Sequence, residues 1–157
     1  MPSPSAGILL YRRRDDQLEV LLVHPGGPFW ARRDLGAWSI PKGECGADEE
    51  PLGAARREFE EELGTPPPDG PVEALGEIRQ RGGKLVRAWA VEGDLDAGAI
   101  TSNTFALEWP PRSGRTIEAP EVDRAEWFRL QRAREKMIPA QAELLDRLTQ
   151  AVGSRES

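Results

Sequence analysis

Residues 43–65 read GECGADEEPLGAARREFEEELGT, and the run Arg57-Glu58-Phe59-Glu60-Glu61-Glu62 inside them is the part that decides the rest. On a helix, residues three and four apart share a face, so Glu58, Glu61 and Glu62 meet on one patch while Phe59 points elsewhere. At about 100° per residue, Leu52, Ala55, Phe59 and Leu63 form a neighbouring apolar stripe, suited to packing on a sheet. Three carboxylates side by side repel one another. A hard divalent cation such as Mg2+ takes oxygen ligands, and one or two carboxylates together with substrate phosphates make its usual seat. The competing interpretation is a solvated acidic helix face.

The wider spacing separates the two. Gly43 is followed after five residues by Glu49, and after seven more by Arg57-Glu58; then come Phe59, Glu61-Glu62 and, one residue on, Gly64. This pattern resembles the Nudix box of the Nudix hydrolases at every charged and glycine position. It departs only at Thr65, where the family carries an aliphatic residue. The resemblance covers the whole chain in outline and is specific within residues 43–65.

Outward from this stretch, the box helix is expected to begin near Asp48 as N-cap, with Pro51 in its first turn and Gly64 as its stop. Upstream, Gly7–Arg12 and Leu18–His24 are apolar runs on either side of a charged turn, read as strands buried on both faces. Pro25-Gly26-Gly27-Pro28 breaks the chain, and Phe29–Leu35 reads as an irregular loop. Ala37–Ile40 is expected as a short strand ending at Pro41. Downstream, Val72–Gln80 and Lys84–Glu92 flank Gly82-Gly83, a hairpin signal. Thr104–Trp109 and Arg124–Leu130 suggest further strands, and Pro110–Arg115 a loop. Gln131–Lys136 and Ala140–Val152 suggest a helix interrupted at Pro139, with Ala142, Leu144, Leu145 and Leu148 on its buried side. These elements imply an α/β chain with a mixed sheet covered on both faces. That agrees with the α/β/α sandwich and loop-helix-loop motif that the resemblance implies.

Length and composition point to one domain over residues 1–157. No apolar run nears the roughly 20 residues that span a bilayer. Met1–Gly7 lacks the features of a secretory leader, so a cytoplasmic location is expected. The single cysteine, Cys45, excludes an internal disulfide, and with no partner signal it is not read as a nucleophile. A net charge of −6 disfavours binding to long nucleic acid but leaves a small phosphorylated substrate open. The oligomeric state is not legible. The lone histidine, His24, ends a strand and is expected at the surface without a role.

The resemblance implies metal-dependent hydrolysis of a phosphoanhydride bond in a nucleoside diphosphate derivative. A dinucleoside polyphosphate or nucleoside triphosphate leads as substrate; ADP-ribose, a nucleotide sugar or a noncatalytic nucleotide-sensing role are the alternatives. Carried onto matching positions, Glu58, Glu61 and Glu62 would bind Mg2+ or Mn2+, with the Lys42 carbonyl a further candidate ligand. Arg57 and Glu49 would orient them. Glu61 is the first candidate general base, with Glu121 and then Glu118 outside the box. Pro41-Lys42-Gly43 resembles the lead-in of polyphosphate-cleaving members, which makes Lys42 a phosphate contact; Lys84, Arg79, Arg81, Arg112 and Arg115 are others. Trp38 and Trp30 are candidates for stacking on a base, while Trp89 and Trp127 are assigned to the core.

Overall fold

The computed structural model describes residues 4–153; the first three residues of the N-terminal segment lie outside that range. Among the described residues, eight strands and three α-helices follow one another as β1 (Ser5–Arg14), β2 (Gln17–Pro25), β3 (Lys42–Glu44), α1 (Pro51–Leu63), β4 (Val72–Arg79), β5 (Leu85–Glu92), β6 (Thr104–Glu108), β7 (Thr116–Pro120), β8 (Val122–Arg129), α2 (Leu130–Lys136) and α3 (Glu143–Val152). The main sheet has the order β4-β5-β1-β2-β8, with β3 joined to β1. The β1–β5 pair is parallel and the others antiparallel, so the sheet is mixed as expected.

The strand that starts the chain explains the shape. Alternate residues of β1 point to opposite faces: Ile8 and Leu10 pack with Ala55, Phe59 and Leu63 of α1, whereas Leu9 and Tyr11 join Leu144, Leu145 and Leu148 of α3. Burial on both sides is why this strand reads as a continuous apolar run rather than an alternating one. The result is a three-layer α/β/α sandwich. Burying Phe59 alone is worth about 1.5–3 kcal/mol, and it fixes the acidic edge of α1 relative to the sheet.

One irregularity in the sheet creates the cleft. β1 and β2 pair only from Tyr11↔Val20 to Arg14↔Gln17 and then diverge. The chain from Ser39 to Glu44 fills the gap: Ser39 bridges to Val23, the Pro41 carbonyl accepts from the Ile8 N–H, and β3 pairs with Ser5–Gly7. Ala37–Ile40 is therefore not the expected strand. Trp38 and Ser39 make isolated bridges, to Met137 and Val23 respectively, and the true strand lies two residues further on. A segment wedged between two splayed strands finds too few continuous partners to form a ladder of its own.

Helix α1 differs at its start. Glu50, not Asp48, is the N-cap, its carboxylate accepting from the N–H groups of Leu52 and Gly53. Pro51 stands at the first helical position, where its missing N–H leaves nothing unpaired. Gly64 ends the helix in the left-handed conformation at φ 80°, and any Cβ there would fall 2.5 Å from the Thr101 carbonyl oxygen. Thr65 is exposed, so the hydroxyl that departs from the family pattern meets water rather than core.

The β6–β7 hairpin stands apart from the main sheet, and the sequence reading contained only its first strand. Residues 116–120 carry no strand signal in the sequence, because Glu118 and Pro120 interrupt any apolar pattern. Its tip carries Arg112 and Arg115, both exposed. On α3, Leu144, Leu145, Leu148 and Val152 are buried while Ala142 precedes the helix and is half-exposed.

Candidate active site

Arg57 organises the acidic edge of α1. Its guanidinium grips Glu49 with two bonds, Nε to Oε2 at 2.7 Å and Nη2 to Oε1 at 3.1 Å. From the other side Nη1 donates to Glu58 at 2.8 Å and to Glu61 at 3.1 Å, and Nη2 reaches the Glu44 carbonyl at 3.0 Å. One planar fork thus fixes the loop before the helix and two carboxylates on it. Glu49 also accepts from the Gly46 N–H, and its carboxyl is held down at about 2, chiefly by Arg57.

Glu62 sits in a different environment. Its carboxyl is pushed up to about 8, first by burial and then by the negative charges of Glu58 and Glu121. The Lys42 ammonium and a hydrogen bond from the Lys42 backbone oppose this without cancelling it. Burial likewise raises Glu58, with Arg57 pulling the other way. Glu121 is raised by burial and by Glu61. Lys42 is itself lowered, first by burial and then by repulsion from Lys84, with Glu62 and Glu58 pulling the other way.

Glu121 comes from far along the chain, and backbone bonds hold it here. The Asn103 N–H donates to the Glu61 carbonyl at 2.9 Å, and the Asn103 carbonyl accepts from the Glu121 N–H at 2.8 Å. The Gly26 N–H closes the other side on the Glu121 carbonyl at 3.0 Å. Asn103 went unread in the sequence because it acts through its main chain, which leaves no side-chain signature.

Among the described residues no three potential ligands are gathered as tightly as in a preformed metal cage. Arg57 draws Glu58 and Glu61 toward itself, leaving Glu62 as the most buried of the three box carboxylates. The donors nonetheless fit a hard divalent cation: they are all oxygen, their charges repel, and burial with two neighbouring carboxylates outweighs the Lys42 charge and pushes the Glu62 carboxyl up to about 8. Glu58, Glu61 and Glu62 are the residues that could hold it, with Mg2+ needing only some of them because it keeps waters and takes phosphate oxygens.

Glu62, Glu121 and Lys42 line one wall of a cavity of about 200 Å3. Trp30, Val23, Ala37 and Ile138 supply apolar lining to the same cavity. Trp30 keeps 36% of its surface exposed, with Phe29 edge-on to it at 5.0 Å and the Arg33 guanidinium 4.5 Å from the Phe29 ring. Trp38 is 1% exposed. Its rings pack at 5.1 Å against both His24 and Phe128, and its indole N–H donates to Asp34, so it has no face free for a base and belongs to the core. His24 is likewise buried, contrary to its expected surface position. Trp89 and Trp127 are half-buried beside the α1 face of the core, the latter beneath the Arg12 guanidinium at 4.0 Å. Glu118 is exposed on β7, and Arg79 is exposed and reaches only the Gly83 carbonyl, at 3.4 Å. Cys45 contacts the carbonyls of Gly46 and Glu49 and no base.

A family model described as NUDIX domain matches residues 1–148. The chain belongs to the Nudix family. No functionally curated protein matches the sequence. Among solved structures, the chain is similar to the NUDIX domain of Shewanella oneidensis NrtR complexed with ADP ribose, at 18% identity and a TM-score of 0.66, covering 97% of this chain and 89% of that one. The C. elegans Ap4A hydrolase in a binary complex aligns at 20% identity and a TM-score of 0.64, over 96% of this chain and 98% of that one. A mutT/nudix family protein from Listeria innocua aligns at 17% identity and a TM-score of 0.63, over 98% and 96%. At these identities the likeness carries the fold.

Proposed function

We propose that the chain is a divalent-metal-dependent hydrolase of a phosphoanhydride bond in a nucleoside diphosphate derivative, with a dinucleoside polyphosphate or nucleoside triphosphate as substrate. The observation that carries this reading is the buried Glu62 carboxyl beside Glu58, Glu121 and Lys42 at the wall of a partly apolar cavity. Glu58, Glu61 and Glu62 would hold Mg2+ or Mn2+. Bound there, the cation would neutralise nonbridging phosphate oxygens and lower the pKa of a coordinated water. Arg57, clamped by Glu49, would keep Glu58 and Glu61 in place.

For the general base, the geometry favours Glu121 over Glu61. Glu121 lines the cavity and burial raises its proton affinity, whereas Glu61 is already engaged by Arg57. Exposed Glu118 has the weakest support. Lys42, at the cavity, and Lys84 would meet phosphates, and Trp30 rather than Trp38 would take the base against its face. A cavity of this size takes a planar ring system rather than a whole nucleotide.

A second reading, ADP-ribose as substrate, is supported by the likeness to a domain complexed with ADP ribose. A panel of diadenosine tetraphosphate, nucleoside triphosphates, ADP-ribose and nucleotide sugars separates the two when run with Mg2+ in 18O-labelled water. Preferred release of a nucleoside monophosphate from the polyphosphates supports the first reading, and preferred cleavage of ADP-ribose supports the second. Binding without turnover across the panel would make the domain a nucleotide sensor and refute both.

A further inference from the structure

His24 is the chain's only histidine, it is 0% exposed, and nothing in the acidic cluster touches it. Its ring joins three separate pieces of chain. Nδ1 lies 2.8 Å from the Asp123 carboxylate on β8, and Nε2 lies 2.6 Å from the Arg33 carbonyl in the loop after β2. The ring stands at 64° to the Trp38 indole, 5.1 Å away. Both polar partners are oxygen acceptors, and which ring nitrogen donates depends on the tautomer, so a side chain without any donor here leaves at least one buried contact unmade.

Each of these anchors adjoins a wall of the cavity. Val23 and Pro25, the chain neighbours of His24, line it, and the β2–β8 register slips between His24 and Pro25. Glu121 and Val122 line it immediately before Asp123, and Ala37 and Ser39 line it on either side of Trp38. Arg33 donates its N–H to the Trp30 carbonyl at 2.9 Å, so the bond from His24 to the Arg33 carbonyl holds the turn that presents Trp30. The loop has other ties further along, Asp34 to Lys136 and Gly36 to Glu135, but these lie beyond the turn and do not reach Asp123. His24 is one of two links between the Trp30 turn and the Glu121 segment; the other is main-chain only, from the Trp30 N–H to the Gly27 carbonyl at 3.3 Å and from the Gly26 N–H to the Glu121 carbonyl at 3.0 Å.

We propose that His24 is a positioning residue that sets the spacing between Trp30 and Glu121 in the pocket through its paired contacts to Arg33 and Asp123. It acts on how the nucleotide is held, and has no contact with Glu58, Glu61 or Glu62. The proposal rests on the nucleotide-binding reading of the same pocket.

The test compares His24→Phe, His24→Gln and Asp123→Ala with the wild type. Phenylalanine keeps a ring against Trp38 and removes both ring nitrogens; glutamine keeps a donor near the Nε2 position; the Asp123 change removes one contact at a half-exposed site that tolerates truncation. Binding of ADP in the presence of Mg2+ is followed by tryptophan fluorescence, and turnover is measured on whichever panel nucleotide the wild type cleaves. The expected result is a dissociation constant for ADP raised about tenfold in His24→Phe and about threefold in each of the other two, as fits the loss of two contacts and of one, with kcat falling in the same order because Glu121, the favoured general base, shifts with its wall. Partial rescue by glutamine distinguishes positioning from packing. Should His24→Phe fail to fold, the other two variants carry the same comparison. Unchanged ADP affinity and kcat in His24→Gln and Asp123→Ala, with only thermal stability reduced, overturns the positioning role while leaving the nucleotide reading intact. A wild type that neither binds ADP nor cleaves any panel nucleotide overturns the nucleotide reading and this role with it.

Discussion

Replacing Glu62 with glutamine should make the metal-free protein more stable and the enzyme inactive, and both effects follow from one carboxyl. In the fold that carboxyl titrates at about 8, against about 4.3 for an unperturbed glutamate. Between those values the folded state holds a proton that the unfolded state has lost, so stability falls as pH rises through this window. Each pH unit of that difference carries about 1.4 kcal/mol. Solvent in the cleft and the nearby Lys42 charge reduce the total, and about 2–3 kcal/mol at pH 8 is the effect expected. Glutamine fills the same volume without a charge to bury. At about 2–4 °C per kcal/mol for a chain of this size, Glu62→Gln should melt roughly 5–10 °C higher than wild type at pH 8 in chelator, and at the same temperature near pH 4. Added Mg2+ with ADP should raise the wild type by more than the variant. Turnover should fall by at least about a hundredfold, since a lost cation ligand removes more than a few kcal/mol of charge stabilisation. The assays are thermal unfolding by circular dichroism across pH and steady-state hydrolysis. A variant that melts at or below the wild-type temperature at pH 8 without metal refutes the claim that Glu62 is a buried, uncompensated carboxyl.

Three further changes probe other parts of the framework. In Gly43→Ala the new methyl would lie 1.9 Å from Glu58 Oε1; the flexible carboxylate swings away, so unfolding should change little while turnover drops about a hundredfold, as for ångström-scale misplacement of a reacting group. Phe59→Ala empties the contact between α1 and the sheet and should cost about 3–5 kcal/mol in urea unfolding. Gln141→Leu strips the acceptor from the buried Ile40 N–H and the donor from Ser39, and should cost about 1–3 kcal/mol, with a raised KM because Ser39 and Ile40 line the cavity.

The box announces itself because its chemistry is local. Glu49, Arg57, Glu58, Glu61 and Glu62 fall within two turns of helix and the loop before it, so a linear spacing preserves their geometry. The apolar runs of β1 and β2 are equally legible, since a strand buried on both faces cannot hide its composition. What escaped is long-range. Trp38 and Trp30 are alike as sequence, and only the closing of α2 and β8 around Trp38 sends one to the core and leaves the other at the cavity. His24 was placed at the surface because it ends a strand, and its burial depends on Asp123, 99 residues away. Glu121 was singled out from its place ahead of Trp127, but its approach to the box depends on main-chain bonds through Asn103. The start of α1 shifted from Asp48 to Glu50 because Pro51 must take the first helical position, and the residue before it then becomes the cap.

The central claim is that the carboxylates around Glu62 form a divalent-cation seat serving a bound nucleotide, and paramagnetic Mn2+ binding tests it most directly. With ADP present, the wild type should bind Mn2+, and both Glu58→Gln and Glu62→Gln should weaken that binding by about tenfold or more. Equal Mn2+ affinity in the wild type and both variants would contradict it.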